Sequence, residues 1–516
     1  MNHASYKDSK FGAFRRPVVG LCAIVLTAAL AACGGGGGGS ITPNGSAAQG
    51  AAAAPGQPGA AAPLTGAASA GPSASPSASP TPNTSVPAHI QTWAFDEYWA
   101  EGANAPSSAV AQYLTYAEGG AGNGKAQSDC SGSPKTCSSV FYVDPNFKYA
   151  SPTCPMAESA AFIAAAGSDE SWFVHEAGYT DFAHRVQGSY AQSCQGATVT
   201  IPVYLANDAS PNVAAYYQNY LQSNGDKWDY YFMDDTSTLV LSQTYGPGGG
   251  FCQDSLPNHW CSSTQEYPND SAVAQAHLTF ASSLSHTNGQ PMQFFFNGVS
   301  FSGQTPLNLQ LLSMGSGHFM GAVCENCIVN AGTPRPNMFA PVLNAMAQID
   351  AIPGAAFIEL NTGSSPTAST AQLAARYLTT AMAWLGYSEG HTIVFPNLED
   401  NTNNLAVWPE DLLYPTQPLQ SMTSGATDLQ VAPGVYRREF ASCYNNQSPI
   451  GPCAAIVNST SSPVPIAAAW LQQTYHHILQ MSGGDILSGG TTVLNTAYFT
   501  PGVGSLGAGA ATILVK

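Results

Sequence analysis

Two apolar runs in this chain end on carboxylates, and acids placed that way can move protons or attack an electrophilic carbon. Trp228 to Asp235 reads WDYYFMDD, in which Tyr230 to Met233 has the apolar content of a buried strand and Asp234 and Asp235 follow at its C-terminal end. Met320 to Val323 is a second such run and leads into Cys324 and Glu325. Parallel barrels carry their chemistry at the C-terminal strand ends. One acid on each of two strand ends is the smallest set that hydrolyses a glycosidic bond: one group protonates the leaving oxygen while the other attacks the sugar or activates water. Asp234 and Glu325 fill those two roles. Strand alternation turns Asp235 to the opposite face, where it orients a loop or binds substrate, and it becomes the catalytic aspartate if the register is one residue off. Both aspartates could instead cap the helix that follows. A disulfide between Cys324 and Cys327 would close a tight loop around Glu325 and hold its carboxylate still.

These acids need a scaffold, and from His89 to Asn397 strand-like and helix-like segments alternate as in parallel βα units. The strand candidates are Ile90–Phe95, Val140–Val143, Trp172–Val174, Tyr230–Met233, Met292–Phe296, Met320–Val323, Ala355–Ile358 and Thr392–Phe395. Ile201–Leu205 is an alternative third strand. Helical periodicity is found in Ala109–Ala117, Val213–Gln222, Ala272–Leu284, Pro341–Ile349 and Thr370–Leu385. The expected fold is α/β: a (β/α)8 TIM barrel over residues 88–406. Residues 407–516 are expected to form a small antiparallel β-sandwich, with strands at Val435–Phe440, Ala454–Asn458 and Thr492–Phe499. Polar residues after the candidate strands would ring the barrel mouth as subsites: Trp93 and Asp96, Asp144, His175, Asn297, Glu359 and Asn361, and Asn397. Glu359 is the reserve acid.

The first 32 residues read as an address. Lys7, Lys10, Arg15 and Arg16 precede an apolar stretch, and Leu30-Ala31-Ala32-Cys33 resembles a bacterial lipobox whose cysteine is lipidated. Gly34 at the next position suggests outer-membrane sorting. Residues 33–87 hold only Gly, Ala, Ser, Pro, Thr and a few other uncharged residues, the composition of a flexible tether with a reach on the order of 40 Å. Cleavage before Cys33 removes four basic residues and Asp8, leaving 10 Lys+Arg against 30 Asp+Glu, a net charge of −20. That excludes nucleic acid as a natural partner and suits a neutral or cationic glycan. Setting Cys22 and Cys33 aside leaves ten cysteines, an even number as expected of disulfides in an exported chain. Neighbour pairing would join Cys130–Cys137, Cys154–Cys194, Cys252–Cys261, Cys324–Cys327 and Cys443–Cys453, although spacing alone fixes no connectivity.

Several motifs carry a family resemblance: YYFMDD at the fourth strand, FFFNG at the fifth, GAVCEN at the sixth, AMAWLG before the eighth, and YRREF with AAIVNSTSSPVPI further on. With them the region from Ile90 to Lys516 resembles the barrel-plus-β-domain group labelled hypothetical glycosyl hydrolase family fifteen. The CENC element around Glu325 departs from a plain version of that pattern. The resemblance implies hydrolysis of glycosidic bonds, and no cofactor is expected. Likeness to the clan that includes α-galactosidases implies a fourth-strand nucleophile, Asp234, and a sixth-strand acid/base, Glu325. The alternative is a surface lipoprotein that binds a glycan without cleaving it.

Other chemistries find little purchase. No GxSxG elbow lies in the folded region, which disfavours a serine esterase. His175 and His184 are too far apart in sequence to share a helix face as metal ligands, and no second CxxC or HxxxH accompanies Cys324 and Cys327. No GxxxxGK[ST] or GxGxxG follows a strand there, so nucleotide use is not indicated.

Overall fold

The computed structural model describes residues 92–94, 115–120, 130, 137–151, 157–194, 197–234, 236, 264–297, 305–315, 317–330, 333–360, 370–388, 393–397, 409–446, 448–479 and 499–516. The protein is mixed α/β, with a curled parallel sheet and separate antiparallel sheets. The elements of the first part, in chain order, are β1 (Thr92–Ala94), β2 (Tyr116–Gly119), β3 (Ser138–Val143), β4 (Phe147–Tyr149), α1 (Ala157–Ala166), β5 (Gln187–Cys194), β6 (Ala197–Leu205), α2 (Pro211–Gly225), β7 (Tyr230–Met233), α3 (Asp270–Ser283) and β8 (Phe294–Asn297). They continue with α4 (Thr305–Met314), β9 (Phe319–Glu325), the ribbon β10 (Val329–Asn330) and β11 (Thr333–Pro334), α5 (Phe339–Asp350), β12 (Ala356–Leu360), α6 (Thr370–Gly386) and β13 (Ile393–Asn397). Eight parallel strands pair in the order β1-β13-β12-β9-β8-β7-β3-β2, and β2 pairs in turn with β1.

Both faces of these strands are buried, which is why the runs YYFM and FFFN are continuously apolar. Trp93, Val140, Phe232, Phe295, Val323, Ala356 and Ile358 form one cluster inside the curl. Phe141, Tyr231, Met233, Phe294, Phe296 and Phe357, on the opposite face, join the larger core beneath the helices. Gly321 on β9 packs directly against β12: a Cβ there would sit 2.5 Å from the Ala356 carbonyl oxygen. A register shift between β8 and β9 at the same level leaves Gly321, Val323 and Glu325 on one face.

One expected strand is displaced. Trp172–Val174 is not in the parallel sheet. Asp169 caps a 3-10 turn at Glu170–Trp172 by accepting from the Ser171 amide, and Phe173 then bridges Ala206. The second strand is β2, in a segment whose end overlaps the helix expected at Ala109–Ala117. Ile201–Leu205 belongs to β6, which pairs antiparallel with β4 and β5 in a three-stranded sheet inserted after β3. The count from β7 onward is unaffected, so Asp234 still ends the fourth parallel strand and Glu325 the sixth.

The C-terminal part contains β14 (Leu413–Pro418), β15 (Gln430–Ala432), β16 (Val435–Asn445), β17 (Ser448–Asn458), β18 (Val464–Pro465), β19 (His477–Leu479), β20 (Phe499–Pro501), β21 (Ser505–Leu506) and β22 (Ala511–Val515). Among the described residues it holds one seven-stranded sheet, ordered β14-β16-β17-β22-β19-β20 with β15 on β16, plus the β18–β21 ribbon, and not two matched sheets of a sandwich. Helix α6 takes the place of the second sheet on one face. The Tyr377 hydroxyl on α6 donates to Leu479 O (3.0 Å) and accepts from the Ile513 amide (2.7 Å). The other face packs Val435, Ile456 and Leu514 against Ile466, Tyr475 and Leu506. No helix among the described residues is long and apolar enough to cross a membrane.

Candidate active site

Alternation along the strands decides which side chains meet inside the curl. Tyr230 and Phe232 pack inward, so Asp234 continues their face; Phe295 does the same for Asn297, and Val323 for Glu325. These three polar residues end three adjacent strands, β7, β8 and β9. The Asn297 amide nitrogen donates to Asp234 Oδ1 at 2.9 Å and to Glu325 Oε2 at 3.0 Å. Two oxygens held on one nitrogen at those distances are at most about 6 Å apart, the spacing of a carboxyl pair working on one bond. Asp234 is 3% exposed, and its second oxygen accepts from the Tyr142 hydroxyl on β3 at 2.8 Å. The Asp234 amide donates to Val143 O (2.9 Å), which fixes the backbone where it leaves the sheet.

Glu325 is only half-buried. Asn326, in the left-handed conformation (φ 53°), places its amide 3.4 Å from Glu325 Oε1, and Arg335 donates to the Asn326 carbonyl at 3.0 Å. The Cys324–Cys327 disulfide closes this turn, as do Cys130–Cys137 and Cys443–Cys453 at their own positions. The pairings expected for Cys154–Cys194 and Cys252–Cys261 lie outside the described residues, as does Cys33.

Asp144 stands beside the pair but is turned toward its own loop. Its Oδ1 accepts from the amides of Asn146 (3.2 Å) and Phe147 (2.9 Å). Burial pushes its carboxyl well above the ordinary range; Lys148 opposes this, and Asp234 and Glu158 add to it. Fully buried Lys148 bonds the Asp144 carbonyl and the Tyr217 hydroxyl (2.6 Å), and its ammonium lies 3.4 Å from Glu158.

The other candidates divide. Trp93 is fully enclosed among Tyr116, Phe232 and Phe295, with its indole N–H donating to Glu118 at 3.3 Å, so its faces are taken by the core and no sugar ring can stack on it. His175 is buried in a different network: Nδ1 meets Glu266 (2.8 Å), Nε2 meets Glu170 (3.3 Å), and Arg185 grips Glu170 with two nitrogens at 2.6 Å each. Burial alone would lower the imidazole, yet those two carboxylates hold it above its ordinary value. Asp96, Asp235 and Asn361 lie outside the described residues, as do the side chains of Glu359 and Asn397. In the backbone register Glu359 stands opposite Cys324, and Asn397 opposite Ala94.

Two residues of the inner face went unread in the sequence. Tyr142 is two positions beyond Val140 and two before Asp144, so alternation could have placed it inside. Buried Glu118 sits on the strand whose sequence, YAEG, carries no strand signal. Among the described residues no group of three or more His, Cys, Asp or Glu is gathered as metal ligands would be.

No protein-family model matches this chain, and no curated protein does. Solved structures give distant likenesses. The glycoside hydrolase domain of PelA from Pseudomonas aeruginosa is 13% identical and aligns over 60% of this chain and 94% of its own, with a TM-score of 0.33. Ega3 from Aspergillus fumigatus, in complex with galactosamine, is 10% identical over 60% of this chain and 92% of its own, with a TM-score of 0.31. An alpha-amylase from Malbranchea cinnamomea is 9% identical over 83% and 96%, with a TM-score of 0.36. At those scores the likenesses carry no functional weight, which rests on the geometry of Asp234, Asn297 and Glu325.

Proposed function

We propose that this protein is a glycoside hydrolase whose barrel is a complete (β/α)8 unit and whose substrate is an extracellular or envelope polysaccharide. One observation carries the reading: Asn297 holds an enclosed carboxylate and a half-exposed one on the same nitrogen at the ends of adjacent parallel strands. Asp234 accepts from Tyr142 and Asn297, which fix its carboxylate beside Glu325. It is the nucleophile. Glu325, nearer solvent on its stapled turn, is the acid/base. A separation of at most about 6 Å leaves no room for a water between the groups and favours the retaining course. Asp234 attacks the anomeric carbon as Glu325 gives its proton to the leaving oxygen. Glu325 then takes a proton from water, which releases the sugar from its ester with Asp234.

The proposal extends to the cell. Cys33 is lipidated after cleavage of residues 1–32, and residues 33–87 tether the barrel to an envelope membrane. The resemblance to hypothetical glycosyl hydrolase family fifteen belongs to the same reading. The test is release of reducing ends from a polysaccharide panel that includes aminosugar polymers, with the anomer of the first product followed by NMR. Retention of configuration supports the reading. Binding of a glycan with no cleavage by the wild-type chain would move the protein to the non-catalytic alternative.

A further inference from the structure

The loop between His175 and Arg185 carries two of the four large hydrophobic side chains exposed among the described residues: Tyr179 at 45% and Phe182 at 60%. The loop is built rather than loose. His175 and Arg185 bridge at its base, the Glu176 amide donates to His184 O (2.9 Å), and the Tyr179 amide donates to Glu176 O (3.0 Å). Gly178, at φ 90°, turns the chain and donates to the Gln265 side chain at 2.9 Å. Asp181 caps the turn that follows and bonds His184 Nδ1 at 2.8 Å. The His184 ring lies flat under Tyr179, with centroids 3.6 Å apart and planes 8° from parallel, and the Arg185 guanidinium supports Phe182 at 4.6 Å. One face of each ring is propped from below while the ring itself stays open to water.

The loop's place in the fold selects the ligand. It belongs to the insertion that leaves the C-terminal end of β3, and Glu176 bridges Thr264, just before Asn269 caps α3. Both attachments are at the end of the sheet where Asp234 and Glu325 lie. Two rings are far too small a patch for a stable protein interface, which takes roughly 800 Å² from each partner. Acidic Asp181 and Glu176 beside them disfavour nucleic acid and anionic lipid. What fits is the apolar face of a pyranose lying on a rigid aromatic ring, its hydroxyls reaching carboxylates at the edge.

Resting on the hydrolase reading above, we propose that Tyr179 and Phe182 form an accessory platform for a polymeric glycan with neutral or cationic sugars, binding units of the chain away from the bond that is cleaved. The probes are hydroxyethyl cellulose, locust-bean galactomannan and water-soluble, partially deacetylated chitin, each used to retard the full chain in native gels. The wild type should be retarded by at least one of them. Tyr179→Ala with Phe182→Ala should weaken that retention at least about tenfold, Tyr179→Phe should keep it, and kcat/KM on a short aryl glycoside should stay within about twofold of wild type. Independently of folding in any variant, the retained polymer should slow nitration of Tyr179 in the wild-type protein by tetranitromethane, read by peptide mass. Retention unchanged in the double variant, nitration unaffected by a retained polymer, or a wild type retarded by none of the three overturns the platform. Retention that depends on both rings, in a chain that cleaves nothing, supports the platform and removes the hydrolase reading.

Discussion

Two regions of this molecule bury carboxylates on different partners, and those partners set the two apart. In the C-terminal sheet, Glu439 is fully enclosed and bonds Arg437, the amides of Gln472 and Gln473, and the Tyr475 hydroxyl. Glu410 is as buried and bonds Arg376. At the parallel strand ends, Asp234 is 3% exposed, yet its hydrogen bonds from Tyr142 and Asn297 come from neutral groups. Unpairing a buried carboxylate from the arginine that grips it costs several kcal/mol. At the strand ends the Tyr142 hydroxyl and the Asn297 amide fix where the Asp234 carboxylate sits. Depth of burial alone would have ranked the three alike.

The largest effect should come from breaking the first kind. Glu439→Gln leaves Arg437 buried without its counter-charge, and stability should fall by about 3–5 kcal/mol, read by denaturant or thermal melts. Activity of whatever remains folded should be near wild type. The second kind should invert that pattern. Asp234→Asn and Glu325→Gln keep shape, so melting should change little while turnover on a cleaved substrate drops at least about a hundredfold. If Asp234→Asn unfolds the protein as Glu439→Gln does, the contrast between the regions is false.

Smaller changes sharpen it. Asn297→Ala removes the shared donor and should lower kcat about tenfold or more without a matching rise in KM, because it frees both carboxylates to drift from one geometry. Tyr142→Phe removes one donor to a carboxylate, an interaction of roughly 1.5–3 kcal/mol, and should cut kcat/KM by about tenfold. The smallest effect concerns His175, whose imidazole is raised by Glu266 and Glu170. A raised folded value means its stabilisation is complete below the ordinary histidine range and is lost as pH climbs through the raised value. The melting temperature of the wild type should therefore decline above about pH 6.5 more than that of His175→Gln.

Much of this arrangement was legible because parallel strands buried on both faces advertise themselves. YYFM, FFFN and MGAV are short apolar runs of the kind that such strands require, and polar residues or acids follow each of them. YAEG was not legible: Ala, Glu and Gly are weak strand formers, and only its place between β1 and β3 makes it a strand. Trp172, Phe173 and Val174 misled for the opposite reason: Trp172 closes the turn that Asp169 caps, and Phe173 and Val174 then run extended beside the antiparallel insertion rather than in the parallel sheet. Within the site, Asn297 could be read as a polar strand end, but its grip on two acids depends on β8 lying between β7 and β9. The role of Tyr142 is likewise a matter of cross-strand register. Trp93 is expected among the strand-end subsites; its aromatic neighbours make it core.

The pairing of Thr92 with Phe395 also bears on how the chain reaches this structure. The first strand of the parallel sheet joins the last across about three hundred residues, a contact that a chain emerging from its N-terminus cannot make until nearly all of the sheet has followed. Closing so long a loop costs only logarithmically more than closing a short one, so the burden falls on timing rather than on final stability. Until β13 arrives, β1 has, among the described residues, only β2 to pair with, and β12 presents an unpaired edge, the kind of surface on which partly folded chains associate. Refolding yield should thus be more sensitive to protein concentration than the finished protein's solubility is.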